Sequence, residues 1–135
     1  MIKNISVNLN LPLLPAVALN SKRGPSIVSD SSIEVLENLD ANTVIYKAIA
    51  TDPDKKQTIS YSIAGVDSSF FSIHSITGEL RLNSSADFEL KPAYQIEIIA
   101  TDSSQRGLSD RQVLDISILN VNEAPVLDVK QNEPV

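Results

Sequence analysis

The chain has 135 residues, a formal net charge of −6 and no cysteine. That length suits one ordinary core with tails, and the lack of cysteine excludes a disulfide framework, a thiolate metal site and a cysteine nucleophile. An acidic surface argues against nucleic acid or an anionic membrane as partner, because both want a basic patch, and no apolar run approaches the roughly 18 to 20 residues that span a bilayer.

In chain order, residues 1–24 are expected to be an extended amino-terminal segment, either a tail or the remnant of a preceding repeat. The apolar stretch Leu9 to Leu19, with Ala16-Val17-Ala18 near its end, has some features of a secretion signal, but Pro12, Pro15 and the asparagines argue against one. Ile5, Val7, Leu9, Leu11 and Leu13 alternate with other residues, as in a strand packed on one side. Ile5-Ser6-Val7 also echoes Ile116-Ser117-Ile118 further on.

From Pro25 the pattern becomes regular. Seven strands are predicted near Ile33–Leu36, Thr43–Ala50, Ile59–Ile63, Phe71–His74, Glu79–Leu82, Tyr94–Ala100 and Val113–Leu119. Period-two alternation, as in Tyr94/Ile96/Ile98 and Leu114/Ile116/Ile118, lets one face bury while the other stays wet. Pro53, Gly65, Thr77-Gly78, Pro92 and Gly107 supply the turns between them. Seven short antiparallel strands without a helical period predict an all-β fold, a seven-stranded immunoglobulin-like Greek-key β-sandwich.

Strand parity then sorts the acidic loops. Consecutive strands of an antiparallel sandwich run alternately down and up, so the ends of strands one, five and seven share one pole. That lower pole collects Glu37, Asp87, Glu89, Asn120, Asn122 and Glu123. Strands two and six end at the opposite, upper pole, with Asp52, Asp54 and Asp102. Like charges about 4 Å apart repel by roughly 1 kcal/mol in water and by more where partly desolvated. A hard dication, which takes about six to eight oxygen ligands, reverses that penalty, so the grouping suggests calcium. Each motif also has a plainer reading: Asp52-Pro53-Asp54 makes a good turn, and Asp102 can cap one through local hydrogen bonds.

The strings Leu36-Glu37-Asn38, Ala50-Thr51-Asp52-Pro53-Asp54, Thr77-Gly78-Glu79-Leu80, Asp87-Phe88-Glu89, Ala100-Thr101-Asp102 and Asn122-Glu123-Ala124-Pro125 occur in the order and spacing of one cadherin repeat, which the chain resembles from about Ile27 to Pro125. The Asn-Glu-Ala-Pro ending is similar to bacterial versions. The resemblance implies a cadherin-like domain over residues 25–125 and a linker toward a following repeat over residues 126–135. It also implies calcium shared between successive repeats, with the six lower-pole residues facing the next repeat and Asp52, Asp54 and Asp102 completing the site below the previous one.

The linker departs from the family pattern, being one residue shorter and carrying Asn120 where the first Asp is usual, so one charged ligand is lost. Leu36 stands where Pro precedes Glu-Asn in the family. With only ten residues after Pro125, the chain is expected to be a piece of a longer tandem array. Alone it is expected to bind calcium weakly, at or above the roughly 10⁻⁴ to 10⁻³ M typical of extracellular modules.

The expected role is adhesion or rigid spacing at the cell surface or outside the cell, with adjacent repeats as partners and another surface protein or a polysaccharide as further candidates. Catalysis is not expected. His74 is the only histidine, at a strand end where the family often has Asp, and no nucleophile motif accompanies it. Asp87 and Glu89 could imitate a glycosidase pair, yet they lie in one short loop. The more serious alternative is a polysaccharide-binding β-sandwich, with or without a calcium-bridged sugar site, against which stand the absence of Trp and only six aromatic residues.

Overall fold

A computed structural model of the chain describes residues 23–54 and 56–122. Nearly all of the expected amino-terminal segment, Glu123 and the expected linker lie outside them. Nine strands follow in order: β1 (Ser26–Ile27), β2 (Ser32–Leu36), β3 (Val44–Lys47), β4 (Ala50–Thr51), β5 (Ile59–Ala64), β6 (Phe71–Ile73), β7 (Glu79–Leu82), β8 (Ala93–Asp102) and β9 (Ser109–Leu119). A 3-10 turn, Ser68–Phe70, precedes β6.

The strands form a sandwich. One sheet has the order β2-β9-β8-β5, the other β3-β7-β6, and β1 pairs with β4 in a short ribbon. Between them lie the alternating residues read from the sequence: Ile96 and Ile98 of β8, Leu114 and Ile116 of β9, and Leu80 of β7 are all but inaccessible to solvent. Burying each such side chain contributes roughly 1.5 to 3 kcal/mol, so this layer fixes the register of the long β8–β9 pair and with it the positions of the loops at both ends.

Two departures from expectation have local causes. Not every neighbouring pair is antiparallel: β2 and β9 run parallel, with Ile33 opposite Ile116 and Val35 opposite Ile118. Parity requires this once the first and last expected strands become neighbours, since both run down. The second expected strand is also broken, because β3 pairs with β7 whereas β4 pairs with β1. The break falls where Ala48 donates its N–H to the Gly78 carbonyl. Gly78 has φ +79° there, and a Cβ on it would lie 2.4 Å from the Ala48 carbonyl oxygen, so only glycine allows this approach. Released from β7, the chain passes to β1, which the sequence pattern did not single out.

Candidate metal centres

At the lower pole β2 ends in Leu36-Glu37-Asn38. Asn38 adopts φ +67°, a left-handed conformation that asparagine tolerates better than most residues. Glu37, only 2% exposed, is turned into the pole beside the 86–89 loop. Its Oε2 accepts the Phe88 N–H at 3.0 Å and its Oε1 accepts the Val121 N–H at 2.8 Å. In the neighbouring loop Asp87 Oδ1 accepts the Glu89 N–H at 2.9 Å, closing the turn that presents both acids to solvent. Glu37, Asp87 and Glu89 each bring one carboxylate oxygen to within 4.8 Å of the others.

Partial desolvation, and then the negative charges of Glu37 and Asp87, push the Glu89 carboxyl above its ordinary range. A carboxylate held back from ionising in this way is what a hard cation stabilises. Asn120 and Asn122 are exposed on either side of Val121, so the Glu37–Val121 bond draws them to this pole.

The upper pole is built differently. Asp102, 5% exposed, ends β8, and its Oδ1 accepts the Ser104 hydroxyl at 2.6 Å, the Ser104 N–H at 3.1 Å and the Leu108 N–H at 3.1 Å. The Ser104 hydroxyl is the main influence lowering the Asp102 carboxyl below its ordinary value. Asp52 Oδ1 accepts the Asp54 N–H at 2.8 Å, and exposed Asp54 in turn accepts the Lys56 N–H. The turn roles foreseen for Asp52 and Asp102 are therefore real.

Asp52 Oδ2, however, is sealed from solvent and meets no hydrogen-bond donor, alone among the side-chain oxygens and nitrogens of the described residues. A buried unpaired carboxylate oxygen is costly, and a cation coordinated there would satisfy it. Asp54 and Asp102 face an open cavity of about 310 Å³ whose rim also carries Arg23 and Arg106. Asp52, Asp54 and Asp102 share this pole without converging as closely as the lower three, which form the only such acidic group among the described residues. Both donor sets consist of oxygen, the ligand type of calcium rather than of softer metals.

The chain from residue 31 to residue 119 matches the family model for the cadherin domain. The chain belongs to the cadherin family. It is 34% identical over 101 residues to human Protocadherin Fat 4, an alignment covering 73% of this chain and 2% of that protein. Mouse Cadherin-related family member 2 is 33% identical over 105 residues, covering 76% of this chain and 8% of that protein. This cadherin domain is thus a small fraction of the length of the relatives it matches.

Among solved structures, Protocadherin Gamma B7 extracellular cadherin domains 1-4 superpose with a TM-score of 0.66 at 27% identity, over 76% of this chain and 25% of that one. Drosophila N-cadherin EC1-3 also gives 0.66, at 26% identity, over 74% of this chain and 35% of that one.

What the sequence pattern missed around these sites is chiefly the backbone donors. Phe88, Val121 and Leu108 orient the acids through N–H groups, which no side-chain motif reveals. Asp67, a third buried acid, was also missed and belongs to neither pole cluster: its Oδ2 accepts the Gln95 N–H at 2.8 Å and its Oδ1 lies 3.3 Å from Lys91 Nζ. His74 has a local role, its Nδ1 accepting the N–H groups of Ile76 and Thr77 at 3.2 and 3.1 Å. The imidazole closes the β6–β7 turn, as an Asp side chain could.

Proposed function

We propose that this cadherin domain is a calcium-binding module of a tandem array outside the cell or on its surface, and that its lower pole supplies half of a calcium site completed by the next repeat. The observation that carries this reading is the convergence of Glu37, Asp87 and Glu89 to within 4.8 Å, one of them buried. Asn120, Asn122 and Glu123 would add oxygen ligands from the linker, while Asp52, Asp54 and Asp102 would close the site of the preceding repeat. Calcium bridging the two sets of carboxylates would offset their repulsion and hold successive repeats at a fixed angle.

Adhesion or rigid spacing is the consequence, with adjacent repeats as the first partners. The domain works by binding and geometry rather than by catalysis, since His74 is committed to its turn. A sugar platform gains little support from the aromatic residues: Phe71 and Tyr94 are buried in the core, and the one exposed ring, Phe70, packs edge-on against Tyr94 rather than standing as a flat face.

Calcium titration by NMR and calorimetry, on the chain and on a variant with Asp87→Ala and Glu89→Ala, tests the proposal. Saturable binding that the double substitution abolishes is expected. No binding up to about 10 mM, well above the range of extracellular modules, would remove calcium from the reading.

A further inference from the structure

Residues 37 and 38 make four hydrogen bonds to two segments far away in sequence. The Glu37 N–H donates to the Leu119 carbonyl at 3.1 Å and the Asn38 N–H to the Ala86 carbonyl at 3.0 Å. Glu37 Oε2 and Oε1 accept the N–H groups of Phe88 and Val121. The end of β2, the 86–89 loop after β7 and the chain just past β9 are thereby tied together, the last two through one buried carboxylate. All four bonds join protein groups to protein groups, and each carboxylate oxygen keeps a lone pair beyond the one it uses.

We infer that Glu37 is a positioning residue, a staple that sets the Asp87-Phe88-Glu89 loop and residues 120–122 just past β9 before any cation arrives. This deepens the proposed calcium reading and rests on it only for its consequence for affinity. Val121 makes the staple specific. It lies two residues beyond the end of β9, outside the β8–β9 ladder, whose last pair is Ala93 with Ser117. Its N–H reaches back to Glu37 across 84 positions of sequence. The course of the chain just past β9 is then built into the domain, and calcium would find Asn120 and Asn122 already at the pole. Asp87 and Glu89, exposed and held within their own turn, have no comparable part in that placement.

The test is amide hydrogen exchange by NMR on the full chain in chelator, for wild type, Glu37→Gln and the Asp87→Ala/Glu89→Ala pair, followed by calcium titration of each. In wild type, the Phe88 and Val121 amides should be protected without calcium. Glu37→Gln keeps one acceptor oxygen but turns an amide NH₂ toward the other donor. It should therefore lower protection at one or both amides by about tenfold or more and weaken calcium binding. The double substitution should retain the protection and lose the binding.

Unprotected Phe88 and Val121 in wild-type chelator samples, or protection indifferent to Glu37→Gln, would overturn the staple. If Glu37→Gln unfolds, the wild-type measurement still decides. Protection that appears only with calcium would sink this inference and spare the calcium reading. Protection without calcium in a chain that never binds it would do the reverse.

Discussion

The two poles of this domain carry similar acids in opposite states of satisfaction. At the lower pole the buried carboxylate, Glu37, has a backbone donor on each oxygen, and its neighbours Asp87 and Glu89 stand out toward solvent. At the upper pole Asp102 is well supplied with donors, while Asp52 keeps a buried oxygen with none. The same chemistry is thus divided between a pole completed by its own backbone and one left a partner short. Roughly 30 Å of β8 separates them, ten residues at about 3.3 Å each, so they can be perturbed independently.

The largest expected effect is at the staple. Glu37→Ala removes the acceptor of two N–H groups and should cost about 2 to 4 kcal/mol in chelator, read by urea denaturation. A loss well under 1 kcal/mol would mean that water replaces the carboxylate freely and that the lower pole is not preorganised.

Next is Asp52→Asn, where the sign should reverse. Removing the charge from a carboxylate with one buried, unpaired oxygen should leave stability in chelator unchanged or raised, while lowering the stabilisation that calcium gives in a chain carrying the preceding repeat. Melting with and without calcium checks both. A clear drop in chelator would show that the Asp52 carboxylate is already compensated, and the contrast between the poles would fail.

A smaller change in stability is expected for Asp87→Ala with Glu89→Ala. Both side chains are exposed and neither anchors a distant segment, so melting in chelator should barely move while calcium binding is lost. Melting that falls as far as for Glu37→Ala would make all three acids structural and blur the division of labour within the lower pole.

How legible was this in the sequence? Alternation in Tyr94/Ile96/Ile98 and Leu114/Ile116/Ile118 led to the core, because a residue's face in a strand follows from its parity alone. The same parity sent Glu37, Asp87 and Glu89 to one end, and they converge there. It could not tell Glu37 from the others, since burial and the two backbone donors depend on how β2, β7 and β9 end in space. The break between β3 and β4 was equally hidden: it depends on Gly78 approaching Ala48 from a distant turn, which no local pattern around residue 48 encodes. Asp-Pro-Asp and Thr-Asp-Ser could be read as turns or as ligands, and the structure makes the turns without excluding the ligands.

The smallest effect should appear in the pH dependence, where the two poles pull in opposite directions. Desolvation and the neighbouring acids raise the Glu89 carboxyl. A raised carboxyl contributes stability that is complete below its unfolded value and is lost as pH rises through the folded value. The Ser104 hydroxyl and the other donors lower Asp102, whose contribution is present above its unfolded value and is lost as pH falls through the folded one.

In chelator, then, acidification should first relieve the lower pole and only afterwards dismantle the upper. A carboxyl-detected NMR titration should show Glu89 gaining its proton before Asp102. Calcium should reverse the first step by favouring ionised Glu89, so binding at a pH near its raised value should release protons, measurable by calorimetry in buffers of different ionisation enthalpy. If Asp102 protonated first, or calcium released no protons there, the acids of the two poles would differ in geometry but not in electrostatic state.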